Sequence, residues 1–98
     1  ATLRAAQPPL EMMRACCDAL TEIAVFAEKG SRLAVSDAGC AAACCRAALE
    51  SAALNVFINT KTLRDRAAAD ALNAQAEALL QTGVPQAERI YAAVRANF

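Results

Sequence analysis

Histidine and tryptophan are absent from this 98-residue chain, and glycine and proline are scarce, with three of each. Without histidine, the chain lacks the side chain that proteins use most often for proton transfer near neutral pH. So few glycines and prolines exclude a disordered linker and argue against a loop-rich sandwich of strands. Any proton transfer by this chain must therefore rely on another group, and long regular elements are expected.

The chain also has no excess of either charge, with ten basic and ten acidic side chains. A protein that binds nucleic acid or an anionic membrane surface would show a basic patch. The uncharged stretch 51–60 is far shorter than the ~20 apolar residues of a membrane span, and no basic-then-apolar signal opens the chain. We therefore predict a soluble, cytoplasmic protein that binds neither nucleic acid nor membranes.

The five cysteines are an odd number, unlike the even frameworks of secreted disulfide-rich domains, so reduced thiols are expected. Cys40 and Cys44 are four residues apart and would share a helix face. The chain has no histidine and no C-x-x-C pair to complete a metal site. We predict that no metal is bound and that the thiols pack among alanines.

Alanine is the most abundant residue, with 27 copies, which favours helices. Interruptions fall at Pro8-Pro9, at Gly30 and at Gly83-Val84-Pro85. The pattern predicts one all-α domain over residues 1–98, a bundle of about four helices. The first three predicted helices cover 9–29, 36–59 and 62–83, and the fourth follows Pro85. Ser36-Asp37 is expected to cap the second helix, and Thr62 with Asp65 the third.

Between residues 38 and 59 the only charges are Arg46 and Glu50, which share one face, and we expect that face alone to meet solvent. Two readings of the opposite side stay open. Its polar side chains either bind a ligand, or they hydrogen-bond a neighbouring helix while Asp37 caps the helix that carries it. At about 100° per residue, the side expected to point inward carries Asp37, Cys44, Ser51, Asn55 and Asn59.

The first two predicted helices are apolar around most of their circumference. Four short elements have too little surface to cover them. We expect further helices from a preceding part of the same protein, from a second copy of the chain, or from both.

Three strings, at their observed separations, resemble the cyclodeaminase/cyclohydrolase family. That family includes the cyclodeaminase part of formiminotransferase-cyclodeaminase and bacterial methenyltetrahydrofolate cyclohydrolases. The chain departs from the family pattern at Ser31 and Thr60. The strings cover residues 36–39, 53–59 and 61–65, and the likeness extends to 27–30 and 88–91.

The resemblance implies an all-α bundle that forms a homodimer, with this chain matching the C-terminal half and lacking the family's Gly-rich N-terminal segment. It also implies a tetrahydrofolate derivative as substrate and chemistry at the bridge between N5 and N10. A cyclodeaminase closes that bridge by expelling ammonia, whereas a cyclohydrolase opens it with water. The alternative is a non-catalytic helical assembly module that kept the family's core.

Within that resemblance Asp37 is the expected catalytic residue, since a carboxylate can relay a proton beside a cationic carbon. Ser36, Asn55, Asn59 and Lys61 are expected to bind the substrate, the asparagines by reading a pterin edge. Lys61, together with Arg64 and Arg66, either meets the carboxylates of a glutamate tail or is a solvated helix start.

Asp37 and Asn55 are separated by about 27 Å if one helix carries both. The two residues therefore serve different sites, or an antiparallel partner brings one chain's Asp37 near the other chain's Asn59.

Overall fold

The chain folds into three helices, each antiparallel to the next along the chain, seen in a computed structural model that describes residues 3–30 and 32–98. The helices are α1 (Leu3–Lys29), α2 (Arg32–Lys61) and α3 (Arg66–Arg95), and the described part contains no strand. The rod measures 51 × 17 × 16 Å. The all-α prediction is confirmed. The prediction of about four helices is wrong, because the last two predicted helices are one.

Helix α1 begins at Leu3 and runs through Pro8 and Pro9, so the predicted start at Pro9 is wrong. A proline in a helix interior removes one backbone hydrogen bond. Packing offsets that loss here, because Pro9 is buried beside Leu10. The helix ends where predicted, and Gly30 N–H donates to the Phe26 carbonyl at 2.8 Å.

Helix α2 begins at Arg32, so Ser36 and Asp37 lie inside it and do not cap it. The prediction of a connector over residues 30–36 is therefore wrong from residue 32 onward, where the chain is already helical. Ser31, where the chain departs from the family pattern, lies outside the described residues. Because α2 is one uninterrupted helix, Asp37 and Asn55 are held about 27 Å apart within a single chain.

Helix α3 continues through Gly83 and Pro85, where the sequence predicts a break. Gly83 is buried, and a Cβ at this position would overlap the Leu49 side chain of α2 and lie 3.0 Å from Cys17 Sγ of α1. The glycine therefore permits close helix packing and does not end the helix. The prolyl ring of Pro85 faces solvent, which spares it a clash with the core.

Asp65, and not Thr62, caps α3, since the Asp65 carboxylate accepts from Ala68 N–H at 3.0 Å. Thr62 Oγ1 donates to the Asn59 carbonyl at 3.3 Å and so belongs to the end of α2.

The core has two clusters, and on α3 a buried stripe runs through Leu72 and Ala76. Asn73, next to this stripe, is half-buried. Tyr91 and Phe98, near the end of the chain, are exposed. The largest side chains of the first cluster are Leu10, Met13, Leu49, Val56 and Leu72, and those of the second are Leu20, Ile90 and Val94.

The prediction that the polar side chains of α2 point inward is wrong, because most of them lie on an open face of the helix. Asp37, Cys44, Ser51 and Asn55 are exposed, and Asn59 is half-buried. Arg46, on the face expected to be alone in solvent, lies against α3 and contacts Glu88 at 3.3 Å and Glu50 at 3.4 Å. Alanines and larger apolar residues between these two faces form the buried side. The helix thus has an uncovered face that sequence patterning assigned to the core.

Candidate functional site

A shallow groove lies between α1 and α2, at the end of α2 that carries the predicted asparagines. Asn55 and Asn59, predicted to act together, both line it, one helical turn apart. Its volume is about 290 Å³, at the lower limit of the ~300–1,000 Å³ of ligand sites. The other lining residues are Ala5, Pro8, Pro9, Met12, Ala48, Ser51 and Ala52.

The two asparagines use their amide nitrogens to bind backbone carbonyls. Asn55 Nδ2 donates to the Ser51 carbonyl at 3.1 Å, and Asn59 Nδ2 donates to the Asn55 carbonyl at 2.7 Å. Within the described residues their Oδ1 atoms make no hydrogen bond. Two amide acceptors therefore remain free to bind a donor such as a ring N–H or a water.

Asn59 also reaches α1, where Nδ2 lies 3.5 Å from the Ala5 carbonyl. In a regular helix that carbonyl would accept from residue 9, but Pro9 has no N–H to donate. The asparagine thus supplies a donor where the proline removes one. This contact joins α2 to α1 at one end of the groove.

Asp37 lies at the opposite end of α2, exposed, beside a separate cavity of about 270 Å³. Ile23 and Phe26 of α1 form the wall of that cavity, and Ala38 and Ala41 its floor. The structure does not bring Asp37 together with the asparagines in one chain. Its exposure also contradicts the expectation of a partly buried carboxylate.

Ser36 is half-buried and lines a third space, where the end of α1 meets the end of α3. This cavity has a volume of about 580 Å³ and is also lined by Glu28, Asn97 and Phe98. Ser36 therefore neighbours Asp37 in sequence but faces a different cavity.

The basic residues at the far end of α2 divide between two roles. Arg66 Nη1 donates to the carbonyls of Thr60 at 3.0 Å and Leu63 at 2.9 Å, which satisfies the C-terminal end of α2. Lys61 and Arg64 are exposed. Of the predicted basic cluster, these two keep their charge available for an anion.

A buried contact between Thr60 and Asn73 was missed by the sequence analysis. Thr60 is 1% exposed, and its Oγ1 donates to Asn73 Oδ1 at 2.6 Å. Thr60 is one of the two positions at which the chain departs from the family pattern, but nothing in the sequence indicates its partner. This contact anchors the last turn of α2, which carries Asn59 and Lys61.

All five cysteines are free thiols. Burial raises the pKa of the Cys16, Cys17 and Cys45 thiols above the ordinary value. Cys40 and Cys44 are exposed on the open face of α2. In the described part of the chain, no three His, Cys, Asp or Glu side chains are grouped closely enough to hold a metal ion.

One segment, Val35–Lys61, is long and apolar enough to cross a membrane by length and composition. A core helix of a soluble protein meets the same two criteria. Only 28% of its most apolar window is buried in this chain. The segment is thus an apolar helix whose covering is incomplete.

Comparison with known proteins gives two matches that agree with each other. The family model described as formiminotransferase-cyclodeaminase matches residues 1–78. A methenyltetrahydrofolate cyclohydrolase of Methylorubrum extorquens is 40% identical over 89 residues, which cover 91% of this chain and 43% of that protein. The chain thus spans less than half the length of this relative. These matches confirm the resemblance found in the sequence, and the chain belongs to the formiminotransferase-cyclodeaminase family.

Proposed function

We propose that this chain acts in folate-dependent one-carbon metabolism, at the N5–N10 bridge of tetrahydrofolate. The observation that carries the proposal is the 40% identity to a protein named methenyltetrahydrofolate cyclohydrolase. It favours the hydrolytic opening of a methenyl bridge, and deamination of a formimino group is the second candidate because the family model includes cyclodeaminases. A cytoplasmic setting fits this metabolic role.

The reaction requires little more than proton transfer. A water oxygen adds to the cationic bridge carbon and loses a proton, and one carbon–nitrogen bond then breaks as its nitrogen gains a proton. Asp37 is the carboxylate we assign to this transfer. Its negative charge also stabilises the cationic carbon.

The remaining polar groups suit substrate binding. Asn55 and Asn59 offer Oδ1 acceptors to the donor edge of a pterin ring, and the groove beside them has room for a ring rather than a whole folate. We assign Lys61 to a glutamate-tail carboxylate, and Ser36 to a polar group at the other end of α2. We also propose a homodimer, since one chain holds Asp37 and the asparagines far apart.

The alternative, a non-catalytic assembly module, is favoured by one observation. Leu54 and Ile58 of α2 are 63% and 66% exposed, which is typical of a surface that binds another protein. Activity measurements separate the two functions, because an assembly module would show no turnover.

The test follows the absorbance of the methenyl bridge with purified protein. We expect Asp37→Asn to lower kcat by ~10²–10⁴, the usual effect of losing a general acid or base. Asn55→Ala and Asn59→Ala should mainly raise KM. The matched control is Asp70→Asn, an exposed carboxylate on α3, which should change neither constant. A wild-type rate equal to that of buffer, in a folded protein that carries this chain together with the rest of its family domain, would exclude the enzyme proposal.

A further inference from the structure

The two asparagines of the groove differ in how many carbonyls surround their amide nitrogens. Asn55 Nδ2 has one carbonyl partner, that of Ser51 in its own helix, at 3.1 Å. Asn59 Nδ2 has two, the Asn55 carbonyl at 2.7 Å and the Ala5 carbonyl of α1 at 3.5 Å. Asn59 is therefore held from both helices that form the groove, whereas Asn55 is held from one.

This arrangement fixes which way the Asn59 amide points. A carbonyl oxygen only accepts hydrogen bonds, so an amide between two carbonyls must turn its NH2 group toward them. Rotating the amide by half a turn would place Oδ1 against two other oxygens. No buried side-chain oxygen or nitrogen of the described residues lacks a hydrogen-bond partner. Since Oδ1 of the half-buried Asn59 has none, it is open to solvent where Asn59 lines the groove.

The Ala5 carbonyl is available to a side chain because of Pro9. In a regular helix, the carbonyl of residue 5 accepts from the N–H of residue 9, and proline has no N–H. The prolyl ring also crowds that carbonyl. Ala5 and Pro9 both line the groove, and Pro9 is buried there. Pro9 thereby leaves, on the α1 wall of the groove, a carbonyl that its own helix does not bind.

We propose that Pro9 is a positioning residue for substrate binding that acts through Asn59. By leaving the Ala5 carbonyl without a helical donor, Pro9 gives the Asn59 NH2 group a second acceptor and keeps Oδ1 turned toward the groove. The ligand of this oxygen is the folate of the proposed function, on which the role of Pro9 rests. Asn55 has one carbonyl partner, in its own helix, and does not depend on Pro9.

Pro8 provides a comparison within the same helical turn. It also lacks an N–H, and the carbonyl that it leaves without a helical donor is that of Arg4. Within the described residues, no side chain donates to the Arg4 carbonyl. Pro8 is exposed, whereas Pro9 is buried. Of the two adjacent prolines, only Pro9 frees a carbonyl that Asn59 reaches.

Side-chain amide NMR tests the orientation without any ligand. In protein labelled with ¹⁵N-asparagine, Asn59→Ala identifies the Asn59 NH2 resonances by their loss. Pro9→Ala returns a helical donor that competes for the Ala5 carbonyl. One of the two Asn59 amide protons should therefore shift upfield and exchange faster with water. Pro8→Ala should leave both protons in place. Equal changes in the two proline variants, or no change in Pro9→Ala, would overturn the proposal.

Kinetics test the consequence for the substrate, in a protein that carries this chain together with the rest of its family domain. Losing one hydrogen bond that orients a binding group should raise KM about three- to tenfold in Pro9→Ala and leave kcat unchanged. The matched control is Pro85→Ala, which also restores an N–H inside a helix but is exposed on α3. It should change neither constant. A lower kcat at unchanged KM, or the same rise of KM in both variants, would reject positioning by Pro9.

Double variants show whether Pro9 acts through Asn59. In an Asn59→Ala background, Pro9→Ala should raise KM no further, because the amide that it orients is gone. In an Asn55→Ala background, the full effect of Pro9→Ala should remain. If the effects of Pro9→Ala and Asn59→Ala simply add, Pro9 acts on the groove by its own packing and the proposal is wrong.

The outcomes separate this role from the proposed function. Binding of 5-formyltetrahydrofolate, a stable reduced folate, is measured by calorimetry and requires no turnover. If the wild-type protein binds it without turnover of substrate, and Pro9→Ala weakens that binding about three- to tenfold, the positioning role holds and the enzyme is rejected. Turnover with an unchanged KM in Pro9→Ala does the reverse. A wild-type protein that binds no folate overturns both.

Discussion

The hydroxyl of Thr60 lies in the contact between α2 and α3, where its neighbours are largely apolar. It is buried and donates to Asn73 Oδ1 at 2.6 Å. A buried hydrogen bond contributes about 1 kcal/mol net, and an acceptor left without a donor costs about 1–3 kcal/mol. A single hydroxyl thereby fixes how the end of α2 meets α3.

We predict that Thr60→Val lowers the free energy of unfolding by about 1–3 kcal/mol, because Asn73 Oδ1 loses its donor. Urea unfolding followed by circular dichroism measures the change. Thr62→Val is the control and should have less effect, since its hydroxyl is exposed and bonds the Asn59 carbonyl at 3.3 Å. Equal losses in both variants would mean that the contact with Asn73 is not specific.

At the scale of the element, α3 shows how packing overrides local breakers. Gly83 and Pro85 are both unfavourable inside a helix, by about 1 and 3 kcal/mol relative to alanine. The glycine is retained where Leu49 and Cys17 leave no room for a Cβ. Ile90 and Val94, buried farther along, hold the segment after Pro85 in the same helix.

We expect Pro85→Ala to raise the free energy of unfolding by about 1–3 kcal/mol, since alanine restores a backbone N–H inside a continuous helix. Thermal unfolding measures this gain. Gln86→Ala, the neighbouring position, should change stability by less than about 0.5 kcal/mol. A neutral or destabilising Pro85→Ala would instead indicate that a separate helix begins there, since proline is favoured at the first helical position.

At the scale of the molecule, α2 is covered on one side only. Its buried side is formed by residues such as Ala42, Leu49 and Val56, while Leu54 and Ile58 remain exposed. Large exposed apolar side chains along one helix favour association, because burying them removes apolar area from water. Cys40 and Cys44 are exposed, whereas Cys16, Cys17 and Cys45 are partly buried. The reactivity of the five thiols therefore shows which surface is covered.

We predict that Cys40 and Cys44 react first with a thiol reagent in dilute protein, and become protected as the concentration rises and a second copy covers the open face of α2. Cys16, Cys17 and Cys45 should react slowly throughout. Their raised pKa leaves less thiolate at a given pH. Their labelling rates should therefore rise at a higher pH than the rate of a thiol with an ordinary pKa.

Mass spectrometry after timed labelling identifies the modified cysteines. In denaturant all five thiols should react alike, which serves as the control. Labelling of Cys40 and Cys44 that does not depend on protein concentration would contradict coverage of this face by a second copy.

Much of the fold could be predicted from local patterns. The end of α1 at Lys29 and the buried stripe through Leu72 and Ala76 follow from glycine placement and three-four spacing. The family resemblance followed from strings such as 53–59. For the candidate site, the sequence predicted that one chain holds Asp37 about 27 Å from Asn55, and Asn55 and Asn59 share a groove while Asp37 lines a separate cavity. The predicted inward orientation is wrong, because Asp37 and Asn55 are exposed.

The sequence by itself determined that the chain is helical, because periodic apolar residues and abundant alanine act within one helical turn. Tertiary packing decided the rest. Whether Gly83 ends a helix depends on Leu49, which lies 34 positions away in the chain. Whether Asn55 faces the core or solvent depends on which side α1 and α3 cover, and a single helix's pattern does not contain that information.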